Sequence, residues 1–397
     1  MGFFSDKAAE PGTMDVMILG SRGIPARHGG FETFAEQLAL YLVSRGWRVT
    51  VYCQQEGRGG LRESTWRGIR RVHVPVTASG PAGTMLFDWR CVRHSIRQPG
   101  VVLTLGYNTA LFSVLHRIAG QRLVMNMDGL EWRRDKWGRL AKLWLWMNEY
   151  IGGRVSDVLI ADHPEIARYL RRKYPGAGIF MIPYGAEADP DAEDSAEGRA
   201  WLEDHQVPAG TPFGLVVARP EPENSILEIV RGFSRQRRNA RLVVLGDFSE
   251  ANPYHRQVKR EASGEVIFPG ACYDSRVLAF LRRRCRVYFH GHRVGGTNPS
   301  LVESMAASAC VAAHDNPFNR WVLGGAGVYF GHEVGVDTIC GRLFEKDNGA
   351  SEAAAMRGAI YDRFEKCFRW GKVLARYEAV LGGNLKEGVD HFFEPWC

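Results

Sequence analysis

Short apolar runs alternate with amphipathic helical patterns along most of this sequence, and this alternation constrains the fold more than any other feature. The first example is an apolar run at 16–19, then a glycine-rich loop, then a segment at 31–46 whose apolar residues have i, i+3 and i+4 spacing. Later apolar runs at 48–53, 101–105 and 123–127 follow the same plan. Short strands separated by helices predict an α/β fold with a parallel, doubly wound sheet.

The alternating pattern stops near the middle of the chain and then starts again. Residues 188–198 contain five acids and a proline, and a stretch with proline and glycine precedes the next apolar run at 213–217. A chain of 397 residues also exceeds the size of a single hydrophobic core. The sequence therefore predicts a disordered leader at 1–13, a Rossmann-like domain at 14–190, a linker region at 191–212, a second Rossmann-like domain at 213–365, and a C-terminal helix at 366–397 that packs back on the first domain.

Composition narrows the class of protein. The eight cysteines are scattered without a CxxC pair, which argues against a zinc cage, a dithiol redox site or a disulfide framework and fits a reduced, cytoplasmic environment. No run approaches the ~18 apolar residues of a membrane span, so we expect a soluble or peripheral protein. The net charge of +7 indicates an anionic partner. Because no recognition motif accompanies that charge, we expect no nucleic-acid ligand.

One helical segment allows two interpretations. Residues 137–154 are rich in Trp, Leu and Met, and Lys136, Arg139 and Lys142 lie on or beside them. The segment is either a helix packed on the sheet or a patch where aromatic and basic side chains meet lipid headgroups.

The loop between the first strand and the first helix has the composition of an anion site. Free N–H groups and the helix dipole at a helix start favour phosphate, and glycine lets the backbone approach it closely. The spacing is not GxGxxG, and no acid follows the second strand, which argues against a nicotinamide-dependent dehydrogenase or epimerase. A tight turn without a ligand is the alternative. The loop contains the glycines Gly20, Gly23, Gly29 and Gly30 and the cations Arg22 and Arg27.

Arg219 occupies a similar context in the second half of the chain. It follows the strand predicted at 213–217, at the edge where open α/β sheets bind ligands. Its planar guanidinium suits a diphosphate. A structural ion pair with Glu221 or Glu223 is the alternative role.

Glu303 lies among apolar residues, one turn inside a helix for which Asn298 is a suitable N-cap. A carboxylate in such a position accepts hydrogen bonds from both hydroxyls of a ribose, whereas burial without a partner is costly. A basic neighbour within the protein is the alternative partner.

Five motifs together resemble a known enzyme family over nearly the whole chain. They are GSRGIPARHGGFETF at 20–34, DGLEWRRDKW at 128–137, IPYGAE at 182–187, RPEPEN at 219–224 and GGTNPSLVE at 295–303. On these motifs the chain resembles the family-four (GT4) retaining glycosyltransferases of the GT-B fold. More closely, it resembles the bacterial rhamnosyltransferase-like subgroup of cell-surface polysaccharide synthesis. The resemblance implies two Rossmann-like domains facing across a cleft, with the acceptor on the first and the nucleotide sugar on the second.

The resemblance also implies roles for individual residues. The family's diphosphate lysine falls on Asn224 and the first glutamate of its paired motif falls on Gly295, so two expected groups are missing. Arg22, Arg27 or a cation near residue 293 is a candidate substitute for the lysine. The implied catalytic residues are Asp128, Arg219 and Glu303; the implied contacts to the donor diphosphate and nucleotide are Arg22, Gly29, Gly30, Arg219, Asn224, Gly296, Thr297, Asn298, Leu301 and Glu303; and the implied acceptor-side residues are Glu32, Asp128, Glu131, Arg133 and His163.

Two of these residues have equally simple structural interpretations. Asp128 is also a suitable helix N-cap, and a lone histidine such as His163 is more often structural than functional.

The implied function is transfer of a sugar from a nucleotide diphosphate donor to a lipid-linked saccharide in exopolysaccharide biosynthesis. L-Rhamnose from dTDP-rhamnose is the leading expectation. The alternatives are glucosyl, galactosyl or mannosyl transfer from UDP- or GDP-sugars, and a non-catalytic protein that binds nucleotide sugars. No cofactor and no metal is expected. A polyprenyl-linked acceptor places the protein in the cytoplasm, with peripheral contact at the inner face of the cell membrane.

Overall fold

The computed structural model describes residues 14–26, 29–134, 136–344 and 348–384. The expected leader at 1–13 and Arg27 therefore lie outside the described residues. Contacts divide the chain into two compact units. The first unit comprises the chain up to Ile182 and the segment that begins at Val373, and the second is Pro183–Lys372.

The first unit is built on a sheet whose strands are mostly connected by helices. The strand order is β3-β4-β2-β1-β5-β6-β7-β8, and every neighbouring pair is parallel except β3 with β4. Strands β6, β7 and β8 are buried along their whole length, as expected for parallel strands covered on both faces. The elements are β1 (Asp15–Leu19), α1 (Gly30–Ser44), β2 (Arg48–Glu56), β3 (Arg62–Trp66), β4 (Ile69–Val76), α2 (Gly80–Ser95), β5 (Val101–Leu105), α3 (Ala110–Ile118), β6 (Leu123–Asn126), α4 (Arg139–Val155), β7 (Val158–Ala161), α5 (Pro164–Lys173) and β8 (Gly178–Met181).

The second unit repeats this architecture with a fully parallel sheet. Its strand order is β11-β10-β9-β12-β13-β14, so the direction of winding reverses between β9 and β12. Successive residues of β12 enter separate apolar clusters, Tyr288 in one and Phe289 in the other. The elements are α6 (Ala196–Asp204), β9 (Phe213–Val217), α7 (Ile226–Ser234), β10 (Arg241–Leu245), α8 (Pro253–Arg260), β11 (Val266–Gly270), α9 (Ser275–Arg284), β12 (Val287–His290), α10 (Pro299–Ala306), β13 (Val311–His314), α11 (Pro317–Leu323), β14 (Val328–Phe330), α12 (Glu333–Phe344), α13 (Asn348–Cys367) and α14 (Trp370–Leu381).

Helix α14 begins in the second unit and continues into the first. Its Tyr377 hydroxyl accepts a hydrogen bond from the Asn126 side chain at 2.8 Å. Glu378 accepts a hydrogen bond from the Tyr41 hydroxyl, also at 2.8 Å. These contacts tie the end of the described chain to β6 and α1. Residues 385–397 of the expected C-terminal helix lie outside the described residues.

The two α/β sheets, parallel except for the β3–β4 pair, confirm the predicted fold class, but the chain divides differently from the expected boundaries. The first unit ends at Ile182, and residues 191–212 belong to the second unit rather than to a separate linker. This segment contains α6, whose Trp201 and Leu202 pack against the core of the second unit. Its acids look like a linker in the sequence because residues such as Asp194 and Glu197 are exposed at the surface.

Six cysteines are free thiols, as the absence of a disulfide framework predicts, but one cysteine is not. Cys367 is disulfide-bonded, which the scattered spacing does not predict. Free thiols are found at Cys53, Cys91, Cys272, Cys285, Cys310 and Cys340.

Candidate functional site

The glycine loop after β1 packs tightly against neighbouring strands before it reaches Gly30, the first residue of α1. Gly20 and Gly23 have φ angles of 85° and 110°, which residues with a side chain rarely adopt. A Cβ on Gly20 would lie 2.2 Å from the Leu105 carbonyl oxygen, and a Cβ on Gly23 would lie 2.6 Å from the Cα of Cys53. The fit of the loop against β5 and β2 therefore requires these two glycines.

Two carboxylates of α1 hold the backbone of the same loop. The Arg22 N–H donates to Glu32 Oε1 at 3.1 Å, and the Ala26 N–H donates to Glu36 Oε2 at 2.5 Å. The Glu32 carboxylate also lies at the start of α1, because a Cβ on Gly29 would be 2.8 Å from its Oε2. The predicted phosphate position is thus already next to a negative charge. The Arg22 side chain is exposed.

A polar cavity of about 180 Å³ lies beside this loop, within the first unit. Two of its hydroxyls, Ser21 Oγ and Thr104 Oγ1, are buried and have no hydrogen-bond partner among the described residues. The Asp88 carboxyl accepts a hydrogen bond from the Thr109 hydroxyl at 2.7 Å, and burial raises its pKa to about 6. Sequence reasoning missed this cavity because its lining comes from several separate segments.

Asp128 lies in the turn that follows β6. Its φ of 51° is uncommon for a residue other than glycine, and its N–H donates to Asn126 Oδ1 at 2.8 Å. The short 3₁₀ turn that follows begins after Leu130, so Asp128 is not its N-cap. Burial raises the pKa of the Asp128 carboxyl to about 6, and the charge of Glu131 acts in the same direction.

Glu131 has the opposite electrostatic environment. Its carboxylate accepts hydrogen bonds from the Arg134 guanidinium at 2.5 Å and from Trp137 Nε1 at 3.0 Å, and Lys136 Nζ lies 3.7 Å away. Burial acts to raise the pKa of Glu131, but these partners outweigh it and lower that pKa. The pKa values of Asp128 and Glu131 are therefore shifted in opposite directions, a pattern found at acid–base sites.

A fully buried carboxylate, Glu149 on α4, supports this turn from within the unit. It accepts hydrogen bonds from Trp132 Nε1 at 2.5 Å, from Lys173 Nζ at 2.7 Å and from the Tyr174 hydroxyl at 3.0 Å. The predicted acceptor-side residue Arg133 is exposed, and its guanidinium lies 5.0 Å from the centroid of the Trp132 ring. Side chains of α4 and α5 thus fix the backbone that carries Glu131 and Arg133.

His163, also predicted on the acceptor side, is buried at the start of α5. Its Nδ1 accepts a hydrogen bond from the Glu165 N–H at 3.1 Å, so the side chain caps that helix. A neutral ring in this arrangement carries its proton on Nε2. The contact supports the structural interpretation of His163.

In the second unit, Arg219 follows β9 at the carboxyl edge of the sheet, and its side chain is exposed. The buried Asn224 side chain donates a hydrogen bond to the Arg219 carbonyl at 2.8 Å. Asn224, which occupies the place of the family lysine, therefore fixes the backbone of Arg219 instead of presenting a polar group to solvent.

The structure brings Arg293 to the same turn. Arg293 Nε donates to Ser225 Oγ at 2.8 Å, and the Arg293 backbone N–H donates to the Glu223 carbonyl at 3.0 Å. Its guanidinium also forms an ion pair with Glu228. Arg293 is thus a cation that contacts Glu223 and Ser225, the chain neighbours of Asn224. Its charge is already paired with the Glu228 carboxylate.

Three histidines that sequence reasoning missed lie at the ends of β12 and β13. The rings of His290 and His292 stack with their centroids 4.4 Å apart. Burial, together with the neighbouring His292 and His314, lowers the pKa of His290 well below its ordinary value. Neither ring nitrogen of His290 has a hydrogen-bond partner in the described part of the chain. The sequence HGHR at 290–293 was the available signal.

Glu303 lies on α10 and pairs with an arginine of α9. Arg282 donates to Glu303 Oε2 at 2.6 Å. The Arg282 side chain is 8% exposed, whereas that of Glu303 is 35% exposed. A basic neighbour is therefore present, and part of the Glu303 carboxylate still faces solvent.

The remaining donor-side residues surround the start of α10. Asn298 is its N-cap, and Asn298 Oδ1 accepts a hydrogen bond from the Ser300 N–H at 3.0 Å. Gly296 is partly exposed, whereas Thr297 and Leu301 are buried. Within this group, the polar side chain of Asn298 is thus used to begin the helix.

The described ranges contain neither a group of metal-ligating side chains nor a membrane-spanning helix. In residues 14–26, 29–134, 136–344 and 348–384, no three His, Cys, Asp or Glu side chains are grouped so that they could hold a metal ion. No helix in those same ranges is both long and apolar enough to cross a bilayer.

Comparison with known families assigns both halves of the chain. Residues 199–372 match the family described as glycosyl transferases group 1, and residues 13–187 match a domain of unknown function, DUF1972. No curated protein sequence is detectably similar to this chain.

Solved structures share the fold over nearly the whole chain. Sucrose-phosphate synthase from Thermosynechococcus elongatus has a TM-score of 0.75 at 16% identity, covering 94% of this chain and 99% of its own. Anabaena Alr3699/HepE in complex with UDP and glucose has a TM-score of 0.70 at 14% identity, covering 93% of this chain and 100% of its own. An α,α-trehalose-phosphate synthase from Burkholderia xenovorans in complex with glucose-6-phosphate has a TM-score of 0.67 at 13% identity, with coverage of 93% and 100%. The chain therefore has the GT-B fold of these glycosyltransferase structures, and its residues 199–372 match the glycosyl transferases group 1 family.

Proposed function

We propose that this protein is a glycosyltransferase that transfers L-rhamnose from dTDP-rhamnose to a polyprenyl-linked saccharide, without a metal, at the inner face of the cell membrane. The observation that carries the proposal is the geometry at the carboxyl edge of the second sheet. Arg219 follows β9 there, and Glu303 lies in the helix after β12. Open α/β sheets bind ligands where the winding reverses, which in this sheet is between β9 and β12.

Arg219 would bind the diphosphate of the donor. Its guanidinium is exposed, and Asn224 holds its backbone in place. When the nucleotide leaves, negative charge develops on the β-phosphate, so a fixed cation stabilises the transition state more than the ground state. This role requires no protein nucleophile, and we assign none.

Glu303 would bind the sugar of the nucleotide. The ion pair with Arg282 fixes one carboxylate oxygen, while the exposed part of the side chain is available to a hydroxyl. A ribose offers two hydroxyls to this carboxylate, and the deoxyribose of dTDP offers one. Loss of the Glu303 charge is therefore expected to weaken the binding of UDP more than that of dTDP.

Asp128 would orient the acceptor hydroxyl in the first unit. A carboxyl with a pKa of about 6 is mostly ionised at neutral pH and accepts a hydrogen bond from a hydroxyl donor. The cavity of about 180 Å³ in the same unit provides the unpaired hydroxyls of Ser21 and Thr104 and the Asp88 carboxyl. These groups suit the hydroxyl-rich surface of a saccharide.

The choice of dTDP-rhamnose rests on the resemblance of the five sequence motifs to the rhamnosyltransferase-like subgroup. UDP-glucose is the second candidate donor, because Anabaena Alr3699/HepE was solved with UDP and glucose. The polyprenyl-linked acceptor and the place at the membrane rest on the same subgroup resemblance.

Binding of dTDP, UDP and GDP, measured by the shift in melting temperature of the purified protein, tests the donor site. We expect the largest stabilisation from dTDP, its loss in Arg219→Ala, and its retention in Arg237→Ala. Arg237 is a matched control because it is an exposed arginine of the same unit that lies before β10, away from the carboxyl edge. Stabilisation by none of the three nucleotides would refute the donor site, and a larger effect of UDP would favour the second candidate.

Release of dTDP from dTDP-rhamnose in the presence of polyprenyl-linked saccharides tests the reaction itself. Release is expected from the wild type and from Arg237→Ala, but not from Arg219→Ala. Undiminished release by Arg219→Ala would remove Arg219 from the site.

A further inference from the structure

Three neighbouring helices of the first unit expose an unusual amount of apolar surface. Of the thirteen large apolar side chains that are exposed among the described residues, eight lie on α2, α3 and α4. Leu140 is 83% exposed, Ile118 75% and Leu143 60%. The eight side chains are Met85, Trp89, Leu111, Ile118, Leu140, Leu143, Trp146 and Tyr150.

The order of the strands places these helices on one face of the sheet. The connections from β4 to β5, from β5 to β6 and from β6 to β7 all run in the same direction across the sheet. Because such crossovers are right-handed, α2, α3 and α4 cover the same face. Direct contacts agree, since the rings of Trp89 and Phe112 are 5.4 Å apart and the Leu111 N–H donates to Asn148 Oδ1 at 2.9 Å.

Helical spacing groups the exposed residues into stripes. On α4, Leu143, Trp146 and Tyr150 have i, i+3 and i+7 spacing, and Leu140 precedes them by one turn. On α3, Leu111 and Ile118 are two turns apart. The opposite side of α4 carries the buried residues that face the unit. The exposed stripes are therefore separate from the core.

The charges on these helices have one sign at the surface. In residues 80–95, 110–118 and 139–155, the only acids are Asp88, which is partly buried and bonded to Thr109, and Glu149, which is fully buried. The exposed cations on the same helices are Arg93, Arg117, Arg139 and Arg154.

Cations and exposed rings also lie close together. The Arg154 guanidinium is 4.8 Å from the Tyr150 ring centroid, and the Arg93 guanidinium is 5.9 Å from that of Trp89. Aromatic rings next to arginines, with leucine and isoleucine between them, match the boundary between headgroups and acyl chains. No carboxylate of α2, α3 or α4 is exposed, although Arg117 is paired with the partly exposed Asp157, which follows α4.

We propose that the outer surface of α2, α3 and α4 binds a membrane that contains anionic lipids. Leucine and isoleucine enter the acyl region, Trp146 and Tyr150 lie at the interface, and the arginines meet the phosphates of the headgroups. The inference rests on the proposed place at the membrane and names the surface that binds it, but it requires neither a nucleotide sugar nor an acceptor. Its failure would leave the donor site untouched.

Sedimentation of the full-length protein with vesicles tests the proposal. We expect binding to vesicles of phosphatidylcholine mixed with phosphatidylglycerol, weaker binding to phosphatidylcholine alone, and a partial loss at high salt because the charged contribution is screened. The double variant Leu140→Ser/Leu143→Ser is expected to reduce the fraction bound by about tenfold or more. Val334→Ser, which changes a side chain that is 48% exposed on α12 of the second unit, is the matched control and should bind like the wild type.

A second pair of variants tests whether the arginines of this surface bind anionic lipids. Arg139→Gln/Arg154→Gln should abolish the preference for phosphatidylglycerol, whereas Arg237→Gln/Arg260→Gln in the second unit should retain it. Equal sedimentation of all variants, or no sedimentation of the wild type with either vesicle, would overturn the proposal. So would self-association without vesicles that disappears in Leu140→Ser/Leu143→Ser, since the surface would then bind a second copy of the chain.

Discussion

Substitution of Asp128 by asparagine is expected to stabilise the first unit at neutral pH while it impairs sugar transfer. Burial raises the pKa of the Asp128 carboxyl from 3.8 to about 6, with a smaller contribution from Glu131. Ionisation of this carboxyl, at pH values above about 6, therefore lowers the free energy of unfolding. Asparagine has nearly the same shape and keeps one oxygen as an acceptor, but it cannot ionise.

The size of the effect follows from the shift in pKa. Each pKa unit corresponds to about 1.4 kcal/mol, so without screening the shift in the pKa of Asp128 would lower the free energy of unfolding by about 3 kcal/mol. Asp128 is partly exposed, and we expect about 2 kcal/mol after screening by solvent. Because the folded state binds the proton more tightly than the unfolded state, wild-type stability is greatest below about pH 4 and falls as the pH rises through about 6. The variant should not show this fall.

Urea unfolding of the full-length chain at about pH 4 and about pH 8 measures the difference. The gain in stability of Asp128→Asn over the wild type should be small at the lower pH and about 2 kcal/mol at the higher pH. Glu131→Gln is the control with the opposite sign. The lowered pKa of Glu131 contributes stability above its unfolded pKa, so this variant should lose stability at about pH 8. An Asp128→Asn protein that is no more stable than the wild type at about pH 8 would refute the reasoning.

Two further substitutions, each with a control variant, test the contacts that fix two turns of the first unit. Tyr377→Phe removes the hydroxyl that supports the amide beneath Asp128, and we expect a loss of about 1–2 kcal/mol in urea unfolding together with an altered pH profile of transfer. Tyr41→Phe, which removes a hydroxyl bonded to Glu378 of α14, should leave that pH profile unchanged. Gly20→Ala should reduce the free energy of unfolding by about 3 kcal/mol or more and lower the melting temperature accordingly. The reasons are the positive φ of Gly20 and the 2.2 Å distance from an added Cβ to a carbonyl oxygen. Gly60→Ala, where no atom lies within 4 Å of an added Cβ, should have little effect.

The central strands of both sheets can be predicted from the sequence because parallel strands are buried on both faces and form continuous apolar runs. β5 and β9 coincide with the runs predicted at 101–105 and 213–217. β3 cannot be predicted in this way, since its sequence RESTW is mostly polar and it pairs only with β4 at the edge of the sheet. Its position depends on a partner strand and not on its own burial.

In the candidate site, too, features set by neighbouring residues can be predicted and features that depend on distant partners cannot. Asn298 is correctly predicted as an N-cap because capping depends on residues within one helical turn. The support of Asp128 is not predictable, because Asn126 and Tyr377 are 251 positions apart in the chain. The role of Asn224 is also hidden, since a buried amide that holds a carbonyl has the same sequence signature as one that binds a ligand.

The contacts within each unit change which residues are best placed to meet the charge of a diphosphate. In the first unit, the Glu32 carboxylate lies at the start of α1 and accepts the Arg22 N–H, so a phosphate at this position would meet both repulsion and an occupied donor. In the second unit, Asn224 fixes the backbone of Arg219 and leaves its guanidinium exposed. Arg293 lies beside that turn but would have to exchange its carboxylate partner for phosphate. Among these residues, we therefore expect a diphosphate to reach Arg219 at the lowest electrostatic cost, and in the described part of the first unit's loop we expect the side chain of Arg22, rather than the amides, to contact a phosphate.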